Sequence, residues 1–418
     1  MIEIKGEIPS NVELNSVLSI VRNRKKEIHS IGGHPARFIP EIPRWALKNF
    51  SKSGDIVLDP FCGSGTTLIE ARKLGCSVIG IDNNPVARLI SSVKTRNISK
   101  KDAEKTLQII LVQVKSEIGN DVELPYVTNR EFWFDPPVSQ SLTKIRNSIK
   151  SIENLELREL FLLCFSDIIR TVSHVAPGQI LQAKRPNNHK QKELSERDVI
   201  SIFEQKCKSI FKLLHEDFEQ NTSTKIISPE DRLPDFDLII TSPPYINAVD
   251  YVWAYKLRMH WLGMANSSKE RLEISSKEIG TERIAKSDFS STFDSGIPEL
   301  DSKLKEIEEG VNYKAGKGQN ELRAQVTYKY FQQMNQHFEK MSNRMKKGSK
   351  YCLVIGDSNI CKTYIPTSDY LVKFAEDNGM KKIHHFLVLL KNRTLNISRD
   401  LDWANKIDYE QIIVFERL

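Results

Sequence analysis

The chain has 418 residues, of which 39% are hydrophobic, and this length allows one large domain with an insertion or two to three domains. The mean hydropathy of −0.39 and the lack of a long apolar run exclude a membrane span, and we expect no secretory signal at the N-terminus. The net charge of +7 permits a polyanionic partner but does not require one.

The first half of the chain combines a sheet pattern with a long helical stretch. Residues 1–54 are mixed in character, and prolines interrupt any long helix there. Residues 55–98 predict strand, glycine turn, helix, strand and helix, which is the βαβ unit of a parallel sheet. Residues 99–224 are predicted to be mostly helical, because apolar residues in 157–169 recur at intervals of three and four. The basic sequence AKRPNNHKQK at 183–192 is predicted to be a loop within this stretch.

The sheet pattern returns at 225–245, where an apolar strand runs into the sequence TSPPY. Residues 264–325 are polar and irregular with a helix inside, and residues 326–347 predict a helix that leads to a strand at 351–356. Two more strands are predicted at the end of the chain. This alternation predicts an α/β fold, a Rossmann-like doubly wound sheet that is interrupted by a long helical insertion and a second irregular insertion.

The six cysteines are scattered along the chain, with no CxxC pair and no Cys/His cluster of zinc-binding spacing. We therefore expect neither a structural metal nor a disulfide framework. Cysteines of this kind are typical of a reducing cytosol, so we expect a cytoplasmic location.

The sequence DPFCGSGTT at 59–67 lies between a predicted strand and a predicted helix. Gly63 and Gly65 allow the backbone to approach a ligand closely, and the amide groups of the helix N-terminus suit a carboxylate or a phosphate. Asp82 lies at the end of the next strand, where an acid can accept hydrogen bonds from ribose hydroxyls. The alternative is a tight strand-to-helix turn that binds no ligand.

The second motif, TSPPY at 241–245, directly follows an apolar strand. Its two prolines fix φ and remove two backbone donors, so the loop presents carbonyl acceptors. Ser242 and the Pro243 carbonyl can accept the hydrogens of an amino group on a planar ring, and Tyr245 can stack on that ring. The alternative is a proline turn with Tyr245 packed in the core. For the similar sequence DPPV at 135–138 we predict a helix start instead.

Together, the two motifs resemble those of the S-adenosylmethionine-dependent amino-methyltransferases of DNA. The Ser-Pro-Pro-Tyr form is similar to the cytosine-N4 branch, since the adenine-N6 branch usually carries Asp or Asn before Pro-Pro. The glycine motif comes first in this chain, as in a minority of cytosine-N4 members, whereas DPFCGSGTT is commonest where the Pro-Pro-Tyr loop comes first. Further similar segments are HPARF at 34–38, GIDNNP at 80–85 and NAVDY at 247–251. The resemblance covers residues 31–95, 225–263 and 326–418.

The resemblance implies a Rossmann-like methyltransferase sheet with S-adenosylmethionine as cofactor, double-stranded DNA as partner and no metal. The implied cofactor-binding residues are Ala36, Phe38, Asp59, Phe61, Gly63, Gly65, Asp82, Asn83 and Asp231. Glu230 is a second candidate for the adenine-contacting role of Asp231. The implied catalytic residues are Ser242, Pro243, Pro244 and Tyr245.

The implied reaction is methylation of the N4 amine of cytosine in duplex DNA after base flipping, within a restriction-modification or host-defence system. A cognate restriction endonuclease is then an expected partner. No Pro-Cys pair occurs in the chain, so the nucleophile of carbon-5 cytosine methylation is absent. The alternatives are adenine-N6 methylation, methylation of an exocyclic amine in RNA, and a DNA-binding subunit without catalysis.

These predictions divide the chain into five segments. The methyltransferase domain consists of a cofactor-binding half at 1–98, a catalytic-loop segment at 225–263 and a C-terminal half at 326–418. The helical insertion at 99–224 and a target-recognition insertion at 264–325 are both expected to border the DNA cleft, the second of them nearer the bases. The expected phosphate contacts in the 183–192 loop are Lys184, Arg185, Lys190 and Lys192.

Overall fold

The computed structural model describes residues 1–21, 27–34, 38–177, 182–184, 193–214, 218–219, 221–246, 250–389 and 408–418. Its strands are β1 (Ile2–Lys5), β2 (Val17–Val21), β3 (Ile56–Asp59), β4 (Ser77–Ile81), β5 (Thr224–Ile227), β6 (Leu238–Thr241), β7 (Lys350–Ile355), β8 (Ser358–Ile360), β9 (Thr363–Ile365), β10 (Met380–Leu389) and β11 (Tyr409–Arg417).

Nine of these strands form one sheet in the order β1-β2-β10-β11-β7-β6-β3-β4-β5, while β8 and β9 form a separate hairpin. Strand β11 is antiparallel to its neighbours β10 and β7, and the other pairs of the sheet are parallel. The strand order reverses beside β3, whose neighbours are β4 and β6. Open α/β sheets bind ligands at such a switch point, beyond the carboxyl ends of the strands. The predicted doubly wound α/β fold is confirmed.

The helices cover both faces of this sheet and form a separate helical layer. They are α1 (Glu41–Phe50), α2 (Thr66–Lys73), α3 (Pro85–Lys94), α4 (Lys100–Ser116), α5 (Arg130–Trp133), α6 (Pro136–Lys150), α7 (Leu155–Ile169), α8 (Glu196–Phe211), α9 (Tyr251–Ala254), α10 (Lys256–Leu262), α11 (Ser268–Ser276), α12 (Pro298–Glu309), α13 (Gln319–Ser342) and α14 (Thr367–Asp377). Among the described helices, none is long and apolar enough to cross a membrane.

Three buried clusters hold these layers together. Alternate strand residues point to opposite faces, so Val57 packs with α1 and α2 on one face while Leu58 packs with α12, α13 and α14 on the other. The third cluster joins α4, α6, α7 and α8 to α3 and α10, with Phe161 and Trp261 fully buried within it. The helices of residues 99–224 therefore pack directly on the two helices that follow β4 and the TSPPY loop.

The helix at 326–347 was predicted with the wrong bounds, since α13 begins at Gln319 and ends at Ser342. Gly318, with φ of +72°, precedes the helix, and the first turn of the helix is polar, which hid its start. At the other end, Gly348 turns the chain and donates its N–H to Arg417. The predicted helix start at DPPV is confirmed, because α6 begins at Pro136.

A buried carboxylate on α2 ties the sheet domain to the segment before α1. Glu70 is 2% exposed and accepts hydrogen bonds from His29 Nε2 at 2.6 Å and Arg44 Nε at 2.7 Å. Burial alone would raise the pKa of Glu70, but the bonds from His29 and Arg44 outweigh it and lower the pKa to about 2. The ionised carboxylate thus stabilises the folded state.

We expect Glu70→Gln to destabilise the fold at pH 7 by about 2–4 kcal/mol, because it leaves Arg44 without its buried partner. The pKa of Glu70 is lower in the folded chain than its usual value of 4.5, so its contribution is complete above pH 4.5 and is lost as the pH falls toward 2. Urea unfolding at a series of pH values should show the gap between wild type and variant closing over that window. Glu104→Gln, in an exposed pair with Lys100, is the control and should leave stability unchanged. A gap that stays constant down to pH 2 would contradict this account.

Candidate active site

The two sequence motifs meet at the carboxyl ends of β3 and β6. These strands are parallel neighbours, with Leu58 opposite Ile239, so Asp59 and Thr241 end adjacent strands. Thr241 Oγ1 donates a buried hydrogen bond of 2.6 Å to Asp59 Oδ1. The same oxygen accepts the Phe61 N–H at 3.1 Å. The DPFCGSGTT turn and the TSPPY loop are therefore joined directly.

The glycines of the turn adopt backbone conformations that other residues avoid. Gly63 has φ of +49° and Gly65 has φ of +79°. A Cβ atom on Gly65 would lie 3.0 Å from Ser91 Cβ, so α3 packs against the turn too closely for a side chain. A Cβ atom on Gly63 would lie 3.0 Å from His34 Nε2. Both positions require glycine. Gly65 lets α3 pack against the turn, and Gly63 leaves room for the His34 ring.

Asp82 follows β4 and holds the turn from the other side. Its Oδ2 accepts the Gly63 N–H at 2.9 Å and its Oδ1 accepts the Asn84 N–H at 2.7 Å. Burial raises the pKa of Asp82 to about 6, and burial likewise raises that of Asp59 to about 6. Burial, Asp250 and Asp82 raise the pKa of Glu278 as well. Three acidic side chains, Asp59, Asp82 and Glu278, thus lie buried at this end of the sheet, where burial disfavours their ionised forms.

These residues fit S-adenosylmethionine. Buried carboxylates with raised pKa values favour a ligand that brings positive charge, which the sulfonium and ammonium groups of the cofactor would supply. Each carboxylate oxygen of Asp82 accepts one backbone N–H and has a second lone pair, so a ribose hydroxyl could donate to it.

Aromatic side chains cover the turn. The His34 ring stacks on Tyr251 with centroids 5.7 Å apart, and His34 Nδ1 shares a 2.7 Å hydrogen bond with the Tyr255 hydroxyl. Sequence reasoning missed Tyr251 and Tyr255 as site residues. Their spacing of four residues places both on one helix face, and this spacing could have identified them from the sequence.

Ala36 lies outside the described residues, while Phe38 is half-buried against the cluster of α1 and α2.

The remaining predicted cofactor residues make contacts with other parts of the protein. The Phe61 ring lies 4.8 Å from the His337 ring of α13, measured between centroids. Asn83 Nδ2 donates to the Ile274 carbonyl at 2.7 Å and so holds α11 against the end of β4.

Asp231 lies in an exposed turn, where its Oδ2 accepts the Ser228 N–H at 2.8 Å. Glu230 pairs with Lys277 at 2.7 Å. Neither acid is brought into the buried cluster around Asp82.

In the TSPPY loop, the Tyr245 hydroxyl is hydrogen-bonded to Glu410 and lies near the Ser242 hydroxyl. Pro243 is buried, and Ser242, Pro244 and Tyr245 are half-buried. The Tyr245 ring packs in part against the core, and its hydroxyl donates to Glu410 Oε1 at 3.1 Å. The Tyr245 oxygen in turn interacts with the Ser242 hydroxyl. Because Tyr245 gives its proton to Glu410, its oxygen offers only lone pairs to Ser242, and the Ser242 lone pairs remain available as acceptors.

Burial and the Glu410 carboxylate raise the pKa of Tyr245 well above its usual range, so the phenol stays protonated. Glu410 lies on β11, 165 residues beyond Tyr245. No local pattern in the sequence identifies it as part of the site.

We expect Gly65→Asp to abolish binding of S-adenosylmethionine while the fold is retained. The variant crowds Ser91 and places a carboxylate at the helix N-terminus, where the cofactor's own carboxylate is expected. Isothermal calorimetry measures the binding, and circular dichroism checks the fold. Gly54→Asp is the matched control, because Gly54 also has a positive φ of +92° but nothing lies within 4 Å of its Cβ position. A folded Gly65→Asp variant with wild-type affinity would show that the cofactor binds elsewhere.

Comparison with known proteins agrees with this geometry. A family model described as DNA methylase matches residues 2–91. The type II methyltransferase M.MvaI of Kocuria varians is 22% identical over 417 residues, covering 91% of this chain and 88% of that protein. The type II methyltransferase M.BsoBI of Geobacillus stearothermophilus is 24% identical over 446 residues, covering 92% and 84%.

A shorter match is the tRNA (guanine(10)-N2)-dimethyltransferase of Methanocaldococcus jannaschii, which is 51% identical over 51 residues and covers 12% of this chain and 14% of that protein. The matches to M.MvaI and M.BsoBI, by contrast, each cover more than nine-tenths of this chain. The chain is therefore similar to the DNA methylase family over residues 2–91 and to type II methyltransferases over most of its length, and S-adenosylmethionine is its methyl donor.

Proposed function

We propose that the protein methylates the exocyclic N4 amine of cytosine in duplex DNA at a specific site. The observation that carries the proposal is the TSPPY loop beside the acidic cofactor turn, with Tyr245 held by Glu410 and lying near Ser242. It presents fixed acceptors for an amino group within the same strand-end crevice as Asp59 and Asp82.

The cofactor supplies a methyl group that is already activated by positive charge, so the protein's task is orientation. Ser242 Oγ and the Pro243 carbonyl would accept the two amino hydrogens, which would favour a tetrahedral nitrogen with a free lone pair. Tyr245 supports the base and holds the Ser242 hydroxyl. The proposed cofactor-binding residues are Ala36, Phe38, Asp59, Phe61, Gly63, Gly65, Asp82, Asn83 and Asp231.

The target amine lies inside the double helix, so the base has to leave the stack. Flipping costs a few kcal/mol, which contacts to the base and the backbone offset. Two relatives that cover more than nine-tenths of this chain are type II methyltransferases. This supports a role in restriction-modification in the cytoplasm, with a cognate restriction endonuclease as partner. We keep the two insertions, 99–224 and 264–325, as the parts that border the DNA.

Two other substrates share this chemistry. Adenine-N6 methylation would use the same acceptors. Ser242 favours cytosine over adenine only because the cytosine-N4 branch of the family carries Ser at this position. Methylation of RNA is favoured by the tRNA enzyme match, but that match covers 12% of the chain. The experiment is to offer tritiated S-adenosylmethionine with duplex DNA or RNA, and to identify the modified nucleoside by mass after digestion. We expect N4-methylcytosine; N6-methyladenine or a methylated ribonucleoside would replace the proposal by that alternative.

Ser242→Ala and Tyr245→Ala should each lower kcat by about 100-fold or more, because each removes a group that orients the amine. Binding of the cofactor should stay near the wild-type value, since neither side chain is placed in the glycine turn. Single-turnover transfer measures the first effect and calorimetry the second. Wild-type turnover in both variants would show that the loop is only a structural turn.

Glu410 is proposed as a positioning residue that acts through Tyr245. Glu410→Ala should lower kcat by about tenfold and leave cofactor affinity unchanged, because the phenol loses the acceptor that fixes it. Glu410→Gln should restore most of the rate, since its amide oxygen still accepts from Tyr245. The control is Glu416→Ala on the same strand, where the carboxylate pairs with Lys350. Equal losses in the Ala and Gln variants would contradict the positioning role.

A further inference from the structure

Three cations surround one indole ring just after the catalytic loop. The Lys256 Nζ atom lies 4.0 Å from the centroid of the Trp253 ring, the Arg271 Cζ atom 5.0 Å and the Arg283 Cζ atom 5.3 Å. We call these four residues the Trp253 cluster. They come from α9, α10, α11 and the segment after α11, so the fold assembles them from separate elements.

Positive charge in this cluster exceeds negative charge. Arg283 Nε pairs with Asp250 Oδ2 at 3.1 Å, but within the described part of the chain no carboxylate lies within 4.0 Å of the charged atoms of Lys256 or Arg271. Arg271 is only 6% exposed, and its Nη1 atom has no hydrogen-bond partner among the described residues. Burial and the neighbouring Arg271 lower the pKa of Lys256 to about 8. A buried donor without an acceptor is costly, so an anionic ligand would relieve this site.

The cluster lies beside the candidate active site, on the side away from the cofactor turn. Residues two apart on a helix point in different directions, and on α9 Tyr251 contacts His34 while Trp253 contacts the cations. The two side chains therefore face different surroundings on the two sides of α9.

The charged surface continues into the helical insertion. Lys256 also lies over the Trp133 ring at 4.8 Å, and Phe132 packs on Trp133. Lys184, at the foot of the predicted basic loop, lies over Phe132 at 4.3 Å. A line of alternating cations and rings thus links the two segments that we expected to border DNA; Arg185, Lys190 and Lys192 lie outside the described residues.

We infer that the Trp253 cluster binds a backbone phosphate of the DNA strand next to the flipped nucleotide. This inference rests on the proposed function, which brings duplex DNA to the adjacent loop. Arginine and lysine donors held on aromatic rings suit a phosphate oxygen, and the rings fix the long side chains before binding. A contact of this kind positions the strand and carries no sequence information.

The test compares Lys256→Gln with Lys269→Gln. Lys269 is an exposed lysine on α11, so both variants lose one positive charge near the same surface. Affinity for the duplex that the wild type methylates is measured over a salt series. Losing one phosphate contact should reduce the slope of log affinity against log salt by about 0.9 in Lys256→Gln. Cofactor binding and the methylated site should not change, and Lys269→Gln should keep the wild-type slope.

A second arm identifies the ligand as a phosphate of the strand. Single methylphosphonate linkages, which carry no charge, are placed in turn at each position around the target base. One position should weaken binding to the wild type but cause no further loss in Lys256→Gln. The inference would be overturned if the loss from the methylphosphonate and the loss from Lys256→Gln added in full at every position. It would also be overturned if millimolar inorganic phosphate alone displaced the duplex from the wild type but not from Lys256→Gln. That second result would indicate a site for a free anion.

The two proposals fail separately. If the wild type transfers no methyl group to DNA, the proposed function is contradicted and this inference with it. If the wild type methylates DNA and Lys256→Gln retains the wild-type affinity and salt slope, only the inference is overturned.

Discussion

The candidate site depends on one buried hydrogen bond, from Thr241 to Asp59. It joins the ends of two neighbouring parallel strands that are 182 residues apart in the chain. A parallel sheet brings its carboxyl ends to one edge, and the reversal of strand order beside β3 leaves a crevice there. The glycine turn and the proline loop are therefore held together by backbone topology first, and this bond fixes how one lies against the other.

Much of the fold could be predicted because its signals are local. The apolar runs of β3, β4 and β6, the glycines and the paired prolines can each be recognised within a few residues. Strands β1 and β2 were not predicted. They are short and lie at or beside the edge of the sheet, and β1 buries only Ile4, so neither shows the continuous apolar run of a central strand.

The candidate site was predictable only where its residues belong to the motifs. The acceptor for Tyr245 is Glu410, and the partners of His34 are Tyr251 and Tyr255, which meet it through tertiary packing. Asn83 shows that a residue within a motif can also have a structural role that the sequence does not reveal. Its position after β4 favours a ligand contact, yet its amide holds α11 in place, because a side chain at a strand end can also serve the element packed above it.

The short helix α9 separates two opposite electrostatic environments. On the side of Tyr251, burial raises the free energy of the ionised forms of Asp59 and Asp82, and a cationic cofactor would offset that cost. On the side of Trp253, Lys256 and Arg271 accumulate positive charge, which suits a polyanion. The modest net charge of +7 conceals this separation. A flipped base has to lie between a cationic methyl donor and an anionic DNA strand. Because the two charge environments lie on different sides of α9, the acidic site attracts the cofactor and the basic site attracts the strand.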